Sequence, residues 1–147
     1  MHPIVTGFIS GVFSGIIMGL SSDVLFRLQV FKSSLIIIDG SFFFRTLRLK
    51  NNPSLLYAAG LCIHLITSGI FGSIYTAASV LLGFYSLSFG LVISYSALLW
   101  LSMLFVALPV SGQGFLGRKS GSLTWLEQLV LHSIFGLSYY ACLRAFL

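Results

Sequence analysis

The chain has 147 residues, 57% of them apolar and 7% charged, with a formal net charge of +5. An ordinary soluble domain carries about 25% charged residues, so this composition cannot clothe a globule in solvated groups. It excludes a cytosolic enzyme, a disordered segment and a secreted disulfide scaffold, and leaves an all-α integral membrane protein of one domain, residues 1–147.

The first predicted span covers Pro3–Leu20 and continues through Ser21-Ser22-Asp23 to Arg27, giving 3–27. It carries Gly7, Gly11, Gly15 and Gly19, a four-residue period with Ser10 and Ser14 on the same face. Such a stripe lets another helix approach to backbone contact, whether from this chain, a second copy or a foreign subunit. Asp23 and Arg27, four apart, read as a helix-end ion pair. No basic stretch precedes the span, which therefore reads as an anchor and not as a cleavable signal.

A basic loop, residues 28–52, follows. Within it Leu35-Ile36-Ile37-Ile38 and Phe42-Phe43-Phe44 flank Asp39-Gly40, a two-residue hairpin signal. Each run is too short to span. The segment is expected to lie in the headgroup region or to dock on another protein, with Arg45, Arg48 and Lys50 reaching lipid phosphates.

From Ser54 to Pro109 the only titratable residue of the charged or histidine classes is His64. A single helix of that length would measure about 80 Å against a hydrocarbon core of about 30 Å, so the run must double back. Leu82-Gly83-Phe84-Tyr85-Ser86 is the expected turn, giving a second span over 53–82 and a third over 87–108. Asn52-Pro53 supplies an N-cap and a proline at the first helical position, and Pro109 marks the stop of the third span.

In the second basic loop, 109–124, Gly112-Gln113-Gly114-Phe115-Leu116-Gly117 fits GxGxxG but follows a helix instead of a strand, so it reads as a turn. Arg118 and Lys119 beside it are expected to meet anionic headgroups. The fourth span, 125–145, is opened by Thr124-Trp125-Leu126-Glu127 as a capping box.

Seven of the eight Lys and Arg side chains belong to the two basic loops and the end of the first span. The positive-inside rule then puts both loops in the cytoplasm and both termini outside, in a bacterial inner membrane. The positive charge is thus a topology signal, and no nucleic-acid partner is expected. Cys62 and Cys142 fall inside spans as small hydrophobes without a disulfide framework.

His64 and His132 are the only histidines well inside the spans, about 17 Å and about 12 Å from their helix starts. An intramembrane ionisable group is costly and marks a candidate site. Two neutral imidazoles at similar depth are candidate axial ligands for haem b or a chlorophyll-type pigment; the alternative is interhelical hydrogen-bonding glue. Ile70-Phe71-Gly72-Ser73-Ile74-Tyr75-Thr76-Ala77 also echoes Ile134-Phe135-Gly136-Leu137-Ser138-Tyr139-Tyr140-Ala141, each with a histidine upstream. Spans two and four run in the same sense, so the echo suggests two helical hairpins duplicated in parallel.

The GlyxxxGly-rich first span and the His…PheGlyxxTyr pattern of spans two and four resemble small, uncharacterised four-helix bacterial inner-membrane families. The resemblance implies the fold and carries no residue role. No nucleophile–base pair, metal-ligand cluster or phosphate loop in context points to an enzyme or a bound metal. The expected function is a non-catalytic accessory subunit of a larger, energy-transducing membrane complex, with other membrane subunits and anionic lipids as partners. The alternative is a small transporter or channel formed by homo-oligomerisation around the glycine face.

Overall fold

In a computed structural model, described over residues 2–50 and 52–147, every regular element is helical. The helices are α1 (Pro3–Arg27), α2 (Leu35–Thr46), α3 (Pro53–Leu82), α4 (Phe89–Val110) and α5 (Thr124–Phe146). Among the described residues, α1, α3, α4 and α5 are long and apolar enough to cross a membrane.

Polarity is distributed as a lipid solvent requires. Ile4, Val5, Phe13, Leu20, Ile66 and Leu98 point outward, whereas Thr6, Ser14, His64, Ser68, Thr76 and His132 are buried. Small and polar side chains sit where helices meet, because lipid tails solvate large apolar ones as well as a core would.

α1 is the central helix, packed on both α3 and α5, and α4 packs on α5. All four glycines of the α1 stripe lie against α3. A Cβ on Gly7 would meet Thr76 and the Gly72 carbonyl, one on Gly11 the Ser68 carbonyl, one on Gly15 the Ser68 side chain, and one on Gly19 the His64 ring. The stripe is used inside the chain, and the two backbones close on each other because no side chain separates them.

The echoed segments serve equivalent packing. Gly72 of α3 faces α1 at Gly7 and Gly11, while Gly136 of α5 faces α4 at Ile93 and Ser96. Tyr75 and Tyr139 meet edge to face with ring centroids 5.8 Å apart.

Three local expectations are corrected. The Asp39-Gly40 hairpin does not form; Leu35–Thr46 is an α-helix whose Leu35, Ile36, Ile38 and Phe44 are buried. A segment lodged among apolar helices must satisfy its backbone internally, which a two-stranded ribbon with open edges cannot do. Gly40 serves instead as a contact point against Leu56, as Gly60 does against Ile36. Leu35, Ile36, Ile38 and Phe44 are thereby taken into the bundle, while Leu47 and Leu49 stay exposed.

The capping box at α5 is also absent. Leu123 is the N-cap, Thr124 is the first helical residue, and its hydroxyl has no partner among the described residues. Glu127 turns away from its own helix start and accepts from the Lys32 amide at 2.8 Å, the Ser33 amide at 3.3 Å and the Ser33 hydroxyl at 2.7 Å. Three donors from the chain between α1 and α2 outweigh the single cap amide that the box would satisfy.

Pro109, finally, does not stop the third span. α4 runs through it to Val110, after a π-helical stretch at Met103–Ala107. The widened turn just before proline relieves the clash its ring would make one turn back. Other bounds fall close to expectation: Gly83 ends α3 at φ +69, and the GxGxxG segment is a turn with Gly112, Gly114 and Gly117 all at positive φ. Asp23 and Arg27 form their ion pair at 2.7 Å.

Candidate functional site

The site is built by five helices converging at mid-bundle. α2 presents Asp39, α3 presents His64 and Ser68, α5 presents His132 and Phe135, and α1 and α4 close the space with Met18 and Met103. Together they line a cavity of about 370 Å3. That is the lower part of the range usual for small-molecule sites, and the lining is mostly apolar with a few convergent polar groups.

His64 is held at both ring nitrogens. Nε2 lies 3.0 Å from the Gly15 carbonyl and Nδ1 lies 3.0 Å from Asp39 Oδ2. A carbonyl only accepts, so Nε2 carries a hydrogen. The remaining contact then holds one proton, either on Nδ1 opposite a carboxylate or on Asp39 opposite a neutral ring. Without that proton a lone pair would face a negative oxygen at close range. Asp39 and His64 are therefore a proton-holding pair with no net charge, which suits an apolar interior. Sequence reading left Asp39 in a turn and missed this partnership. The available signal was an unexplained acid at the head of an apolar run, opposite an equally unexplained intramembrane histidine.

His132 differs. Its Nδ1 donates to the Gln128 carbonyl at 2.8 Å, which leaves Nε2 with a lone pair and, among the described residues, no hydrogen-bond partner. The two histidines thus share one cavity with different chemistry. His64 has no nitrogen free for an axial bond, while His132 has one. Among the described residues, no three His, Cys, Asp or Glu side chains converge as a metal-ligand set.

No family model, curated protein or solved structure matches this chain.

The cavity has a mouth on the outer surface. α3 and α4 follow each other in sequence, yet α4 packs on α5 and leaves α3 largely apart. The Tyr95 hydroxyl bridges them by donating to the Phe71 carbonyl at 2.8 Å. Phe71 of α3 and Ser102 and Val106 of α4 line the cavity and are also exposed. The opening therefore looks sideways, between two apolar helices. Phe71 and Phe135, at matching places in the echoed segments, both line it.

The other predicted site residues lie elsewhere. Arg45 and Arg48 share a separate cleft at the end of α2, which Lys50, Arg118 and Lys119 do not line. Cys62 and Cys142 are free thiols. Gln128, one turn before His132, is fully enclosed, and among the described residues neither atom of its amide has a partner.

Proposed function

We propose that this chain is a bacterial inner-membrane protein that binds a neutral lipophilic molecule with a hydrogen-bond-donating head. Both basic loops would lie on the cytoplasmic side, and the hairpins α1–α3 and α4–α5 would be parallel duplicates. The carrying observation is the laterally open cavity in which His132 Nε2 stands unpaired. A lipophile partitions into the bilayer, enters between α3 and α4, and places a hydroxyl or N–H against that lone pair. The Asp39–His64 pair borders the head without adding net charge, so it disfavours ions and tolerates a neutral group. The role is binding, with no covalent chemistry.

A porphyrin-type pigment is a second reading, favoured by the free Nε2 alone. It would be held through one axial bond to His132, since a bond to His64 would have to break a contact to Gly15 or Asp39. In either case the chain serves a membrane complex as an accessory component that supplies or holds the molecule.

Solvent extraction of the purified protein followed by mass spectrometry tests this directly. Recovery of one lipophilic compound with wild type, and its loss from His132→Phe and from Val106→Trp at the mouth, supports the proposal. Equal recovery from all three proteins would sink it. A visible absorption band lost in His132→Phe but kept in His64→Gln identifies the pigment case.

A further inference from the structure

A second cleft, of about 520 Å3, lies at the end of α2 against the connection between α4 and α5. Arg45, Arg48, Ser41 and Gln113 supply its polar lining, and Phe44, Leu49 and Leu56 the apolar part. The loop is shaped around one of these arginines. Gly112 takes φ +88, and a Cβ there would collide with the Arg45 guanidinium. Arg48 itself sits at φ +53, a left-handed conformation that glycine or asparagine usually supplies after a helix end.

The charge of this cleft has no answer within the described residues. The chain has three carboxylates. Asp23 is paired with Arg27, Asp39 with His64, and Glu127 with the backbone and hydroxyl at Lys32 and Ser33. None is hydrogen-bonded or ion-paired to Arg45 or Arg48. The Ser120 hydroxyl donates to Gln113 Oε1, so the Gln113 amide N–H groups remain to donate. Two guanidinium forks, a serine hydroxyl and an amide line one cleft as donors, a set that a multi-oxygen acceptor such as phosphate matches.

We propose that this cleft binds a phosphate group, that of an anionic phospholipid, with Arg45 and Arg48 on the phosphate and the acyl chains leaving over exposed Leu49. Leu49, which lines the cleft and is exposed, favours the lipid over a free phosphate ester, which would leave that apolar side chain uncovered. This site is independent of the His132 cavity.

The full-length protein in phosphatidylcholine nanodiscs, with and without phosphatidylglycerol, provides the test, with lipid retained into mild detergent counted by native mass spectrometry. Wild type should retain phosphatidylglycerol, and Arg45→Gln/Arg48→Gln should retain about tenfold less. Lys32→Gln/Arg144→Gln removes the same charge outside the cleft and should retain it as wild type does. Arg45→Lys/Arg48→Lys keeps the charge and the fold but loses the forks, and should fall between. Displacement of the lipid by millimolar inorganic phosphate would assign the site to a free phosphate and overturn the lipid source. Equal retention by all variants, or equal loss from both glutamine pairs, overturns the site itself.

Discussion

His64 donates from Nε2 to the carbonyl oxygen of Gly15, 3.0 Å away, across a helix pair that only glycine allows to close. Gly19, one turn along α1, gives the same ring the space it occupies. The glycine stripe and the intramembrane histidine, separate features along the chain, are thus one device: the stripe brings α1 close enough to hold the imidazole, and Asp39 completes it from the other side.

The stripe should be intolerant at its centre. Gly11→Val places a branched side chain against the Ser68 backbone and should destabilise the protein by about 1–3 kcal/mol or more. Gly90, whose Cβ would meet nothing, provides the control: Gly90→Ala should be neutral or stabilising by up to about 1 kcal/mol. Thermal denaturation of both variants in the same detergent checks the contrast.

The Asp39–His64 contact should appear as a coupling. A double-mutant cycle with Asp39→Ala and His64→Phe is expected to give an interaction energy of about 1–2 kcal/mol, above the average for interhelical hydrogen bonds in membranes. Asp39→Asn should retain part of it, because an amide N–H can still meet Nδ1. Additive single effects would mean the two side chains do not act together.

Glu127 and Thr124 should separate sharply. Glu127→Ala removes the acceptor for three donors and should cost about 2–3 kcal/mol, with faster amide exchange at Lys32 and Ser33. Thr124→Ala should change little, since that hydroxyl has no partner. Comparable losses at both positions would restore the capping box.

Gln128 invites a stabilising change. Its amide is buried with neither atom paired, so Gln128→Met keeps the volume and removes the unsatisfied groups. A gain of about 1–2 kcal/mol in unfolding free energy is expected. A loss would show that the amide has a partner worth keeping.

Four apolar helices were legible from residue order alone, because an apolar run longer than the bilayer is thick must turn back, and charge or Gly83 marks where it does. The limits of 3–27 and 53–82 needed nothing more than Arg27, Pro53 and Gly83 and the length of a membrane span. The Asp23–Arg27 pair was legible for the same reason, being set by the pitch of one helix. What the sequence alone could not decide was every partnership between distant segments. Leu35–Thr46 reads locally as a hairpin, and becomes a helix only because its neighbours leave its backbone no other donors or acceptors. Glu127 reads as a cap until Lys32 and Ser33 arrive with better donors. Asp39 reads as a turn residue until α2 carries it to His64. Local propensity amounts to a few tenths of a kcal/mol per residue, whereas an unpaired polar group in an apolar interior costs several times more. Tertiary structure therefore overrode local signals at those polar positions, and one of them, His64 with Asp39, borders the cavity.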